Sequence, residues 1–138
     1  MKLFVDTSAF LALEDSDDQY HGRAQSLFNQ IREERPILVT SNLVLAETIS
    51  LIGSRLYPKK GAEFGRQLHS SRVIRLFYLN QEIEALSLKT YEKFNDRALS
   101  FVDCTSFEII RLFRLDAAFA FDEHFSRAGF VLYGDSAR

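Results

Sequence analysis

One cysteine, two prolines and six glycines are all that the 138-residue chain holds of the residues that staple or break a backbone. The lone Cys104 excludes an internal disulfide and any cysteine zinc cluster, which fits a reducing compartment. So few prolines and glycines leave little for linkers, and neither an internal repeat nor a low-complexity tract is present. No apolar run approaches the roughly 18 residues of a membrane span. Asp6 and Glu14 interrupt the stretch that would have to be a secretory core, so no signal peptide is expected. Bulk positive charge is missing too: 17 Lys and Arg stand against 19 Asp and Glu, a formal charge of −2 with a pI near 5.9. That balance excludes a protein holding nucleic acid by overall charge and leaves open a local basic strip. The expected setting is the cytoplasm.

What is present suits one domain over residues 1–138, because 46% hydrophobic and 26% charged residues are ordinary for a folded chain. At this length about 68–70% of the extended-chain surface is buried on folding, enough for one core. The pattern predicts a buried strand at Lys2 to Val5, then a helix from Ala9 to about Glu14 capped by Thr7 or Ser8. Asp18 is the expected cap of a second helix to about Glu34, with Ala24, Leu27, Phe28 and Ile31 at helical spacing. Pro36 ends it before a strand at Ile37 to Val39. Ser41 caps a third helix to about Leu56, and a fourth runs from about Lys59 to Ser70. A strand at Val73 to Leu79 precedes a helix opened by Asn80 and reaching about Phe94. Ser100 begins a sixth helix, Ala117 to Phe121 is a third short apolar strand like the first, and Phe130 to Tyr133 is a final strand. Strands alternating with helices predict an α/β fold, a three-layer α/β/α sandwich with a mainly parallel central sheet.

Ligands of such sheets bind beyond the carboxyl ends of the strands, where strand order reverses. Asp6 follows Leu3-Phe4-Val5 and Asp122 follows Phe119-Ala120-Phe121, so both acids are expected to project into one crevice. Either alone is adequately explained as a turn former or helix cap. Asp103 completes Ser-x-x-Asp with Ser100, close to a capping box and sufficient as a structural role. Glu47 lies opposite the Leu45/Ile49/Ile52/Leu56 stripe of its helix, beside Ser50 and Ser54 but also Leu43 and Leu51. A solvated glutamate accounts for it. The residues by themselves therefore yield two good candidates and two possible ones.

Four segments in order, Val5-Asp6-Thr7-Ser8, Asn42 to Glu47, Leu99 to Cys104 and Ala120 to Phe125, resemble those of the PIN-domain nucleases. The likeness is greatest to the VapC-like toxins of toxin–antitoxin pairs, and it spans essentially the whole chain. It implies a metal-dependent endoribonuclease whose acidic quartet falls here on Asp6, Glu47, Asp103 and Asp122. The hydroxyl after the first aspartate is Thr7, placed to position a water or to cap a helix. Four carboxylates in one cleft raise each other's pKa, and a divalent cation relieves that. Oxygen ligands favour Mg²⁺ or Mn²⁺. By this resemblance Asp6 and Asp103 are the principal metal ligands, Asp122 a second-shell or second-metal ligand, and Glu47 orients or deprotonates water. It also implies an RNA substrate, a small cognate antitoxin and a homodimer.

Between positions 55 and 75 lie Arg55, Lys59, Lys60, Arg66, Arg72 and Arg75 against Glu63 alone, an excess of five positive charges. That strip is either a phosphate-contacting surface or a solvated helical face. His21 resembles a structural histidine of these domains, and His124 reads first as a packing residue that can also fix the Asp122 loop. The three histidines are too scattered for a zinc site. Most of the 13 phenylalanines belong in the core, and a surplus among Phe10, Phe28 and Phe64 would mark a dimer or antitoxin groove. A haloacid-dehalogenase-like phosphatase needs a second acid two residues after Asp6, where this chain has Ser8, and a receiver domain needs an acid pair. The alternatives that remain are a non-catalytic binding module and a PIN nuclease of RNA processing without an antitoxin.

Overall fold

Three of the apolar runs become strands buried on both faces, because helices cover the sheet on each side. The computed structural model describes residues 1–135. In chain order the elements are β1 (Lys2–Val5), α1 (Thr7–Glu14), α2 (His21–Glu34), β2 (Ile37–Ser41), α3 (Asn42–Arg55) and α4 (Pro58–Ser70). They continue with β3 (Ile74–Phe77), α5 (Gln81–Phe94), α6 (Phe101–Phe113), β4 (Ala117–Phe119) and α7 (His124–Arg127). The four strands pair in parallel in the order β3-β2-β1-β4, with Phe4 opposite Val39 on one side and Ala118 on the other. Right-handed crossovers from β1 to β2 to β3 put α1 to α4 on one face, and the return to β4 puts α5 and α6 on the other. Packing agrees: α1 lies against α2 and α3, α3 against α4, and α5 against α6. The predicted α/β sandwich with a parallel sheet is what forms.

Local chemistry explains the boundaries. Ser41, Asn80 and Ser100 cap α3, α5 and α6, each side-chain oxygen accepting a backbone N–H of the first turn. Pro58 starts α4 at a position whose N–H has no helical partner. Gly61 allows α3 and α4 to touch, since a Cβ there would lie 2.6 Å from the Ile49 carbonyl oxygen.

Four expectations change. The cap of α1 is Asp6, not Thr7 or Ser8, because its carboxylate accepts from the Ser8 N–H while Thr7 is already helical. Asp18 accepts from the Tyr20 N–H at 2.8 Å in a tight turn, which delays α2 to His21. The strand expected at Phe130 to Tyr133 is a single bridge, Ala118 to Leu132, confined between turns at Gly129 and Gly134 with φ of 95° and 98°. Phe10 and Phe64 are core residues in edge-to-face contact at 5.1 Å, so they are not surface surplus. With half-buried Phe28 they nevertheless line a 240 Å³ cleft among α1, α2 and α4. His21 acts structurally, its Nδ1 lying 2.7 Å from the Ala12 carbonyl oxygen.

Candidate active site

The chain leaves β1 for β2 on one side and returns to β4 on the other, so strand order reverses between β1 and β4. A 380 Å³ pocket opens beyond the carboxyl ends there, and Asp6, Glu47, Asp103 and Asp122 all line it. Each acid arrives on a different element.

Asp6 ends β1, where its N–H donates to the Phe119 carbonyl of β4 at 3.1 Å. Its Oδ2 accepts from both the N–H and the hydroxyl of Ser8, at 3.1 and 2.7 Å, leaving Oδ1 without a hydrogen bond among the described residues. Ser8 Oγ in turn accepts from the Phe121 N–H at 2.9 Å. One hydroxyl thus ties the two strand ends together, and it draws Phe121 out of the ladder so that β4 stops at Phe119. Asp6 is only 3% exposed. Burial pushes its carboxyl up to about 7, with the charges of Asp103 and Asp122 adding to the rise and the Ser8 hydrogen bonds opposing it.

Asp103 occupies the third position of α6. Ser100 Oγ accepts from its N–H at 3.0 Å, and its Oδ2 accepts from the Ser100 N–H at 3.3 Å, a complete capping box. The structural role and the place in the pocket coexist. Burial, then the charge of Asp122, raises its carboxyl above the ordinary range against the Ser100 hydrogen bonds and His124. Glu47 projects from α3, half-buried, and makes no hydrogen bond or ion pair among the described residues.

Asp122 and His124 form the last side of the pocket. Asp122 Oδ1 accepts from the His124 N–H at 2.9 Å, which folds the loop after β4 back on itself. His124 Nδ1 lies 2.7 Å from the same Oδ1 and 3.4 Å from Asp103 Oδ2. The contact is close but not aligned: Nδ1 is buried and has no hydrogen-bond partner among the described residues. One ligand atom from each of Asp103, Asp122 and His124 falls within 4.8 Å of the others. Asp6 lies outside that trio. The sequence favours a packing role for His124 over fixing the Asp122 loop; the structure shows it fixing the loop, two residues after a strand-end acid. Ser8 was read only as a cap, since its bridge joins segments 113 residues apart.

The remaining wall explains the electrostatics. Arg55 reaches the pocket but pairs with Asp18 at 2.8 Å and with Asp15 at 3.4 Å. It is therefore not available to neutralise the quartet. Tyr20, 40% exposed, stacks flat on Phe121 with ring centres 4.8 Å apart at the pocket rim. Thr7, the hydroxyl after the first acid, is buried with its Oγ1 3.3 Å from Thr48 Oγ1. An acid cluster with too little counter-charge and an orphaned imidazole nitrogen suits a cation, and the donors are mostly carboxylate oxygens.

A helix-flanked parallel sheet of this order, with acids gathered at its switch point, defines a PIN-like α/β protein. The chain belongs to the PIN-domain family, whose model matches residues 3–131. It is similar to the 23S rRNA-specific endonuclease VapC20 of Mycobacterium tuberculosis, with 36% identity over 129 residues for both strain H37Rv and strain CDC 1551. That similarity covers 94% of this chain and 95% of the relative. The crystal structure of M. tuberculosis VapC20, described as a sarcin-ricin loop cleaving toxin, matches with a TM-score of 0.83 and 33% identity. It covers 94% of this chain and 96% of that one.

Proposed function

We propose that this protein is a divalent-metal-dependent endoribonuclease and the toxin of a toxin–antitoxin pair. The observation that carries the reading is the quartet of carboxylates in one pocket where the only arginine among the described residues, Arg55, is committed to Asp15 and Asp18. The similarity to an rRNA endonuclease over nearly the whole chain supports RNA, and ribosomal RNA in particular, as the substrate.

Asp6, Asp103 and Asp122 are the residues that would hold Mg²⁺ or Mn²⁺. The ion supplies Lewis acidity toward the scissile phosphate and lowers the pKa of a water. Ser8 orients Asp6 so that Oδ1 remains free, and the capping box does the same for Asp103. The His124 N–H holds Asp122 in place, and its imidazole Nδ1 lies 2.7 Å from the same carboxylate oxygen. Glu47, with no hydrogen-bond or ion-pair partner among the described residues, accepts the proton of the attacking water at its carboxylate. In-line attack then leaves a 5′-phosphate and a 3′-hydroxyl. The toxin role implies a small antitoxin, a homodimer and a cytoplasmic setting; among the described residues no helix is long and apolar enough to cross a membrane.

The test is cleavage of a labelled ribosomal RNA fragment with Mg²⁺, Mn²⁺ or chelator, for the wild type and Asp6→Asn. Metal-dependent cleavage lost in the variant is expected. Full cleavage by Asp6→Asn would overturn the site, and no cleavage by either protein would favour a non-catalytic binding module.

A further inference from the structure

The acid pocket poses a problem for a protein that takes RNA: its wall repels phosphate, and Arg55, its one arginine among the described residues, is already paired. The grip on the polymer must come from elsewhere. Uncommitted guanidinium groups gather at the opposite edge of the sheet. Arg32 lies in the last turn of α2, Arg35 and Arg72 stand just before β2 and β3, and Arg75 is the second residue of β3. All four are exposed, and all four line one cleft of 430 Å³. None makes an ion pair among the described residues. Among the described residues no carboxylate lines the cleft, and Glu34 accepts the Tyr133 hydroxyl instead. Arg35 adopts a left-handed backbone conformation with φ of 52°, which ends α2 and turns the chain into the cleft wall. The floor is apolar, with Ile37 and Val73 exposed to 39% and 66%, and Arg32 lies over the Phe28 ring at 4.9 Å.

We propose that this arginine cleft is a second RNA-contact site that binds phosphodiester groups remote from the scissile bond. Guanidinium forks match phosphate oxygens in pairs, and the apolar floor offers a surface for a base. The sheet edge that holds the acids and the edge that holds the arginines are separated by at least the strands, roughly 15 Å at about 3.3 Å per residue. A folded RNA spans both edges; a very short oligonucleotide spans one. The site thus selects for large structured substrates, and it rests on the ribonuclease reading.

The test compares the full chain with the Arg32→Gln, Arg72→Gln, Arg75→Gln triple variant, and with Lys89→Gln, Lys93→Gln on exposed α5 as a charge control. Circular dichroism confirms folding. In chelator, fluorescence anisotropy with a labelled, folded ribosomal RNA hairpin should show the triple variant binding at least about tenfold more weakly. Its salt dependence should flatten by about 0.7 per lost phosphate contact. With Mg²⁺ or Mn²⁺, its KM for the folded RNA should rise while kcat, and cleavage of a six-nucleotide RNA, stay unchanged. Triple Arg→Lys substitution should recover most of the salt dependence. Unchanged binding by the triple variant, or an equal loss in the lysine control, would overturn the proposal. So would displacement of the RNA by polyglutamate as readily as by polyphosphate, which would mark an acidic-protein site. Arginine-dependent binding without cleavage of either RNA would support the cleft and overturn the ribonuclease reading.

Discussion

The two edges of this sheet carry opposite charge and are built in opposite ways. At the carboxyl edge Asp6 and Asp103 are buried, and each is held by hydrogen bonds that also cap a helix. At the amino edge Arg32, Arg35, Arg72 and Arg75 are exposed and make no ion pair among the described residues. Burial makes the first edge expensive and rigid, as chemistry on a phosphate requires. Exposure leaves the second cheap and adaptable, adequate for attraction but not for catalysis. The difference predicts that changes at the acid edge alter stability and turnover, while changes at the arginine edge alter only affinity.

The largest expected effect is on stability against pH. The Asp6 carboxyl titrates near 7 in the metal-free fold and near 3.8 when unfolded, so the folded chain binds the extra proton. Stability is then fully present below about pH 4 and is lost as pH rises to about 7, by about 4 kcal/mol at most. Asp103 shifts in the same direction and steepens the slope. Denaturant unfolding in chelator at pH 5 and pH 8 measures the loss, Asp6→Asn should flatten most of it, and added Mn²⁺ should restore stability at pH 8. A metal-free wild type more stable at pH 8 than at pH 5 would contradict the account.

Next in size, Asp6→Asn should lower the cleavage rate by at least about 10²-fold, comparable to losing a principal electrostatic group of an active site. Single-turnover assays separate this from binding. His124→Gln comes third. It removes the imidazole whose Nδ1 lies 2.7 Å from Asp122 Oδ1 and should weaken metal affinity by about 10- to 100-fold, read by calorimetric titration with Mn²⁺. Ser100→Ala should cost about 1 kcal/mol of stability through the lost cap, with a fall in turnover because Asp103 loses its anchor. The smallest effect is at the other edge: Arg72→Gln should change unfolding free energy by less than about 0.5 kcal/mol. A larger loss would mean that the arginine edge is structural after all.

Much of this site was legible in the chain because two of its acids follow directly on buried strands. Asp6 and Asp122 could be placed in one crevice from apolar runs and the rule for parallel sheets alone. Asp103 and Glu47 were not separable from a capping residue and a solvated glutamate, since one helical wheel carries no information about what lies across a pocket. Asp103 in fact both completes the cap of α6 and lines the pocket. Caps at Ser41, Asn80 and Ser100 were readable because the cap and the N–H it serves lie within three residues. Ser8 was not, because its second partner is Phe121. The basic strip from 55 to 75 was misleading as a unit: α4 carries the chain from one side of the sheet to the other. Arg55 therefore ends in the acid pocket, while Arg72 and Arg75 join Arg32 and Arg35.

By itself the sequence determined the alternation of strands and helices, the parallel sheet and the family, since these follow from hydrophobic period and from short motifs in order. Only the tertiary structure decided which charges meet. Ion pairs and hydrogen bonds act over about 3 Å, and β1, α3, α6 and the turn after β4 bring distant residues to that range through packing. The shortages noted at the start have the same division: a missing positive excess excluded binding by bulk charge, and folding sorted the charges that remain to opposite edges of one sheet.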